Sequence, residues 1–141
     1  MTEWVPQVAI LNHRATGGYV LHCGGNSTVE AVCAGVPVIA WPLHSEQFIN
    51  ERLVVDVLGI GLRILEGEDV RTVEVEGKGV VKAEAIRAAV GRLMGDGDEE
   101  VRKMKSTVKK YKEMARSATE EGGSSYVNIS KVIEKINEFR A

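Results

Sequence analysis

The feature that most restricts the fold is an alternation of short apolar runs with helical segments over the first half of the chain. Three runs predict strands and two segments between them predict helices, the strands at 18–21, 36–41 and 60–65 and the helices at 29–34 and 46–58. The connections are only a few residues long, and strands that alternate with helices in this way pair in parallel. The sequence therefore predicts an α/β fold with a parallel sheet.

The ends of these helices are marked by residues that favour such positions. Asn26 and Ser27 are good N-cap residues for the first predicted helix. Gly35 and Gly59 directly follow the two helices, where a glycine in the left-handed conformation commonly ends a helix. We expect the chain to turn into the next strand at each glycine.

The second half of the chain predicts one surface excursion, at 66–79, and three helices, at 82–94, 99–121 and 125–139. The middle helix is rich in Lys, Arg and Glu, which is typical of a solvated helix with one buried stripe. Three short strands make only half of a doubly wound sheet and leave an unpaired edge. We therefore expect an incomplete domain, which is either completed by another polypeptide or is a fragment.

The loop between the first strand and the first helix is the strongest candidate for a ligand site. Gly24 and Gly25 allow the backbone to approach a ligand closely. The helix that follows directs its free N–H groups and positive dipole end at this loop, which suits a phosphate. Glu30 lies one turn into the helix, where its carboxylate can accept hydrogen bonds from ribose hydroxyls. By geometry alone, an ordinary tight turn is an equal alternative.

Composition argues against several other classes of function. The net charge of −2 argues against nucleic acid or an anionic membrane as the main partner. The longest apolar run, at 31–43, is too short to span a bilayer. The two cysteines, Cys23 and Cys33, suit reduced, buried thiols in the cytoplasm.

A metal centre and a nucleophilic serine were the other chemical alternatives. The spacing of His13, His22, Cys23 and Cys33 matches no common zinc pattern, so we expect no metal. Ser27 has no base near it within the motif, which argues against nucleophilic catalysis.

A longer pattern includes this loop, and it covers the 44 positions from Trp4 to Gln47. Its separated elements are Trp4-Val5-Pro6-Gln7, His22-Cys23-Gly24-Gly25-Asn26-Ser27-Thr28, Glu30, Gly35-Val36-Pro37, Trp41-Pro42-Leu43 and Glu46-Gln47. In residue type and spacing it resembles the signature box of plant secondary-product UDP-glycosyltransferases (family 1). The segment at 120–126 also resembles the lead into the last helix of that family.

The resemblance implies a role for eleven residues of the chain. Trp4 would stack on the uracil, Glu30 would bind the ribose, and His22 would bind the diphosphate. In full, the residues implied for UDP are Trp4, Val5, Gln7, His22, Gly24, Asn26, Ser27 and Glu30, and those implied for the sugar are Gly25, Glu46 and Gln47. Gly25 is a departure, because most of the family has a Trp there that walls the sugar.

The resemblance also implies a GT-B fold, in which two Rossmann-like domains bind the acceptor and the donor. This chain would be the incomplete C-terminal, donor-binding domain, at 1–122, with a final helix segment at 123–141 that packs on the first domain or on its own. We expect a UDP-sugar, with UDP-glucose favoured, and no cofactor beyond this donor substrate.

The expected activity is inverting transfer to a small plant metabolite. No catalytic residue is expected in this chain, since the family's His base lies in the acceptor domain, so we expect a heterodimer with a chain that carries that domain. The alternatives are a non-catalytic partner of full-length enzymes that binds UDP-sugars, and a truncated product.

Overall fold

The computed structural model describes residues 4–64, 74–75, 78–79, 81–95 and 97–140. The helices are α1 (Gln7–Leu11), α2 (Gly25–Ala34), α3 (Gln47–Arg52), α4 (Ala83–Met94), α5 (Glu99–Thr119) and α6 (Ser124–Glu138). The strands are β1 (Tyr19–Leu21), β2 (Val38–Ala40), β3 (Gly61–Arg63), β4 (Glu74–Val75) and β5 (Lys78–Gly79).

The first three strands form the predicted parallel sheet, in the order β1-β2-β3. Each strand is shorter than its apolar run. Strand β2 begins only at Val38 because Pro37 has no N–H to donate, although its carbonyl accepts from Tyr19 N at 3.0 Å. Most of the predicted excursion at 66–79 lies outside the described residues, and its described parts, β4 and β5, form a separate antiparallel pair.

Strand β2 is the centre of the core because helices cover both of its faces. Val38 and Ala40 belong to one apolar cluster, which includes Ala31 of α2 and Val108 of α5. Ile39 points the other way, into a second cluster with residues of α4 and α5. This two-sided burial is what a continuous apolar run predicts for a parallel strand.

Strand β1 is one of the two edge strands of this sheet among the described residues. Val20 is in register with Ile39, yet its side chain is 45% exposed whereas Ile39 is buried. Helix α4 therefore covers this face of β2 but leaves the same face of β1 exposed. An apolar side chain is thus exposed at an edge of the described sheet.

Two helix ends agree with the sequence and one start does not. Gly35 and Gly59 have φ of 69° and 62°, as expected for glycines that end helices. The N-cap of α2 is Gly24 rather than Asn26 or Ser27, which lie in the first turn. The prediction was wrong because the Gly24 carbonyl already accepts from Thr28 N at 3.0 Å, which begins the helix earlier.

The segment predicted as one helix at 46–58 is in fact two. After α3, residues Leu53–Val57 form a π-helical segment, in which Leu58 N donates to Leu53 O at 2.8 Å. A further difference is α1, a short helix that the sequence analysis did not predict. It packs on α2 and begins after Pro6.

Helix α2 is stabilised at its carboxyl end by helix α5. The Lys112 ammonium donates to Ala34 O at 3.1 Å, close to the terminal carbonyls where a cation is favourable. A side chain at Gly35 would collide with the stem of Lys112, so glycine is required there for space as well as for its φ.

The three C-terminal helices are confirmed, with ends that shift by one or two residues. Helix α6 contacts α5, but no residue of it is buried. Its apolar stripe, Ile129, Val132, Ile133 and Ile136, is about half exposed or more. The stripe therefore does not pack closely against the described part of this chain. None of the described helices is long and apolar enough to cross a membrane.

Cys33 corrects another expectation, because its side chain is exposed on α2 rather than buried. Cys23 is fully buried as expected. Burial, together with the negative charge of Glu51, raises the pKa of the Cys23 thiol to about 11. Cys23 therefore stays protonated and unreactive near neutral pH.

Asp98 gives a first prediction, on stability. Its Oδ1 caps α5 by accepting from Glu100 N at 2.9 Å, and its Oδ2 accepts from Arg92 Nε at 2.7 Å. The hydrogen bond from Arg92 holds the pKa of Asp98 below its ordinary value of 3.8. Because the folded pKa is the lower one, the charge stabilises the fold above pH 3.8, and this contribution is lost as the pH falls through the folded value.

We expect Asp98→Ala to lower the urea midpoint at pH 7 more than Asp98→Asn does, since Asn still accepts the cap hydrogen bonds. Urea unfolding of both variants between pH 3 and pH 7 measures this. The difference between wild type and Asp98→Asn should shrink on acidification. Equal midpoints for the two variants at pH 7 would contradict the capping role.

Candidate functional site

The site forms where β1 and β2 end, at the carboxyl edge of the parallel sheet. The loop after β1 is His22-Cys23-Gly24, which leads into α2, and the loop after β2 runs over 41–46 into α3. The carboxyl ends of parallel strands face the same side of a sheet, so the two loops are neighbours. Asn50 of α3 joins them directly, because its Nδ2 donates to Cys23 O at 2.8 Å.

The first turn of α2 is open toward this edge. Among the described residues no side chain caps it, and the N-cap residue, Gly24, has no side chain of its own. The amides of Gly25, Asn26 and Ser27 therefore face the site together with the positive end of the helix dipole. Such a helix start favours an anion of the size of a phosphate.

His22 is placed over this helix start by the absence of a side chain at Gly24. A Cβ on Gly24 would overlap the His22 imidazole. The imidazole is exposed, so it is available to a ligand at the amide cluster. A larger residue at this position would therefore displace the imidazole, although the backbone, with φ of −67°, could accept it.

Three of the residues singled out in the sequence meet in one hydrogen-bonded cluster. Gln7 Nε2 donates to Glu30 Oε2 at 2.5 Å and also lies 3.2 Å from Ser27 Oγ. Gln7 reaches them because α1 packs on α2. All three side chains are half-buried, and the cluster fixes the Glu30 carboxylate one turn above the open amides.

Trp4 and Val5 lie just before α1, which begins at Gln7. The Trp4 indole is 99% exposed, so it has no packing role among the described residues. Val5 is half-buried. A fully exposed indole is available for stacking on a flat ring.

The second loop holds the remaining predicted residues in different environments. Glu46 is exposed, whereas Gln47 is only 5% exposed. Gln47 Oε1 accepts from Leu43 N at 2.8 Å and from His44 N at 3.1 Å, so its side chain shapes the loop. Gly25 is surrounded by open space, because a Cβ added to it would meet none of the described atoms within 4 Å.

Two residues that hydrogen-bond to the backbone of the first loop were given no role in the sequence analysis. Thr28 is buried, and its Oγ1 donates to Gly24 O at 2.9 Å. Asn50 was not singled out either, because its partner Cys23 lies 27 residues away in the sequence. The available signal was its spacing, since Asn50 lies four residues after Glu46 and hence on the same face of a helix.

The described residues contain no group of three or more His, Cys, Asp or Glu side chains that could hold a metal ion. The site offers the open N–H groups and dipole of α2, the Glu30 carboxylate and the exposed Trp4 indole. The arrangement suits a ligand with a flat ring, vicinal hydroxyls and a phosphate.

Comparison with known proteins agrees with this chemistry. Residues 1–74 match the family described as "UDP-glucoronosyl and UDP-glucosyl transferase". The chain is 44% identical over 138 residues to UDP-glucosyl transferase 73M2 of Saponaria officinalis. The aligned residues cover 98% of this chain and 27% of that protein. This chain thus spans little more than a quarter of the length of such relatives.

Solved structures give the same result. UGT73P12 of Glycyrrhiza uralensis, complexed with glycyrrhetinic acid 3-O-monoglucuronide, superimposes with a TM-score of 0.85 at 38% identity, over 99% of this chain and 28% of that one. UGT2 of Phytolacca americana, complexed with UDP-2fluoro-glucose and pterostilbene, superimposes with a TM-score of 0.80 at 35% identity. This match covers 94% of this chain and 28% of that one.

The expected fold is therefore confirmed: the parallel sheet and C-terminal helices are those of the GT-B plant glycosyltransferases. The expected family is confirmed as well, by a match that covers more than half of the sequence. This chain belongs to the UDP-glucuronosyl and UDP-glucosyl transferase family.

Proposed function

We propose that this chain forms the UDP-sugar-binding part of an inverting glycosyltransferase that transfers glucose from UDP-glucose to small plant metabolites. The observation that carries this proposal is the cluster of Gln7, Ser27 and Glu30 beside the open amides of α2. It combines a carboxylate for ribose hydroxyls with an anion site for a diphosphate, in the order in which a nucleotide presents them.

In this proposal each part of the nucleotide has its own residues. The Trp4 indole stacks on the uracil, whose edge the Val5 backbone binds. Glu30 accepts from the ribose hydroxyls, while Gln7 holds its carboxylate in place. The diphosphate lies on the Gly24 loop and receives hydrogen bonds from the residues around it, His22, Asn26 and Ser27.

The sugar then lies between the two loops. The Glu46 carboxylate accepts from its hydroxyls, and Gln47 offers its Nε2 to them, since its Oε1 is bound to the backbone at 43–44. Gly25 leaves open space beside the sugar where a Trp would form a wall. The site requires neither metal nor further cofactor in this proposal.

The reaction breaks the bond between the anomeric carbon and the diphosphate as an acceptor hydroxyl attacks from the opposite side. Negative charge develops on the leaving UDP, and the α2 amides stabilise it as it forms. The attacking hydroxyl loses its proton to a His base. We place this base, and the acceptor site, on a partner chain in the cytoplasm, so that this chain is inactive alone.

The exposed stripe of α6 is the surface that we assign to this partner. Ile129, Val132, Ile133 and Ile136 are apolar residues left uncovered by the described part of the chain.

A second candidate function is a non-catalytic partner that binds UDP-sugars, which Gly25 favours because it departs from the family's Trp. An assay of glucosyl transfer in the presence of a chain with the acceptor domain separates the two functions, since transfer is expected only of the first.

The direct test is calorimetric titration of this chain with UDP. We expect binding, and Glu30→Gln should weaken UDP and uridine alike by about tenfold, because both ligands carry the ribose. Glu134→Gln, which removes a carboxylate from α6 far from the site, is the matched control and should change neither. A chain that binds no UDP, or a Glu30→Gln variant that binds normally, would refute the assignment.

A further inference from the structure

The loop that would receive the diphosphate contains an unusual backbone conformation. Cys23 has φ of 65°, in the left-handed region that residues other than Gly, Asn and Asp seldom adopt. Its thiol is fully buried and lies 3.6 Å from Leu21 O. A conformation of this kind persists only where its surroundings hold it.

Asn50 is the side chain that holds the peptide on the carboxyl side of Cys23. Its Nδ2 donates to Cys23 O at 2.8 Å. The same peptide unit carries the N–H of Gly24, which is the N-cap of α2 and the residue over which the His22 imidazole lies. Because a peptide unit is planar, holding its oxygen also sets the direction of Gly24.

Asn50 is itself anchored to the second loop. Its backbone N–H donates to Glu46 O at 3.0 Å, and Gln47 of the same helix accepts from the backbone at 43–44. A continuous series of hydrogen bonds therefore runs from the second loop, through Asn50, to the loop of Cys23.

We propose that Asn50 is a positioning residue, which fixes the His22-Cys23-Gly24 loop and so sets the open amides of α2 and the His22 imidazole for the diphosphate. This inference rests on the proposed function, since it assigns Asn50 to the same UDP site. Asn50 touches the loop rather than the nucleotide, and it acts through the Cys23 carbonyl.

The test compares UDP with uridine, which lacks the diphosphate. Asn50→Leu keeps much of the side-chain volume and removes the donor, so it should weaken UDP by about tenfold and leave uridine unchanged. Asn50→Ala is the second variant, in case leucine prevents folding. Asn128→Leu, at an exposed position of α6, is the matched control and should leave both affinities unchanged.

Amide NMR signals of Gly24 and Gly25 in the ligand-free chain give a readout that is independent of nucleotide binding. These signals should shift in both Asn50 variants and stay in place in Asn128→Leu. If wild type binds no UDP, the proposed function fails, while the glycine signals still decide whether Asn50 holds the loop. Unmoved signals, or equal weakening of UDP and uridine, would overturn the inference.

Discussion

Gly24→Ala is expected to weaken UDP binding by roughly ten- to a hundredfold while leaving the fold intact, because the added Cβ must displace the His22 imidazole. The backbone at this position has φ of −67° and ψ of 142°, which alanine adopts without strain. The expected loss of UDP affinity therefore arises from the displaced imidazole and not from backbone strain. Calorimetric titration with UDP measures it.

A double-mutant cycle with His22→Ala shows whether the imidazole carries the effect. If it does, Gly24→Ala has little further effect once His22 is removed, since the two substitutions then act on one interaction. Gly91→Ala is the control, because a Cβ there, in α4, meets no atom within 4 Å. Full additivity of the two site substitutions, or normal UDP affinity in Gly24→Ala, would contradict this account.

The second large effect concerns the sugar. Gly25→Trp should raise the affinity for UDP-glucose relative to UDP by about tenfold, since an indole at this position adds an apolar wall beside the hexose. The side chain has room, because a Cβ at Gly25 meets no atom within 4 Å. UDP itself, which has no sugar, should bind as it does to wild type.

Competition titrations with UDP and UDP-glucose measure this ratio. Gly25→Ala adds only the Cβ and serves as the control, with an expected ratio equal to that of wild type. If Gly25→Trp raises the affinities for UDP and UDP-glucose equally, the indole acts on the nucleotide instead. A tryptophan that changes neither shows that the sugar lies elsewhere.

Local sequence patterns predicted most of this fold because the fold is built from short connections. Continuous apolar runs predicted the three strands, because parallel strands in such a sheet are buried on both faces. Gly35 and Gly59 predicted the helix ends, because glycine adopts the left-handed conformation without steric cost. The start of α2 was mispredicted for a local reason too. Asn26 and Ser27 are favourable caps, but the helix had already begun at Gly24.

What the sequence patterns did not predict depends on contacts between distant segments. Helix α1 has only five residues, too few for a periodic signal, and it is stabilised by packing on α2. The contact of Gln7 with Glu30 depends on that packing. Asn50 and Cys23 are likewise paired only by the fold, and the π-helical segment has no compositional marker that distinguishes it from an α-helix.

Among the described residues, only one end of helix α2 has a side chain that balances its dipole. Lys112 balances the negative end of this helix dipole through Ala34 O, whereas no side chain caps the positive end beside Gly24. A bound diphosphate would complete the balance across the roughly 15 Å length of a ten-residue helix. Nucleotide would then act as a folding ligand whose concentration sets the melting temperature of the chain.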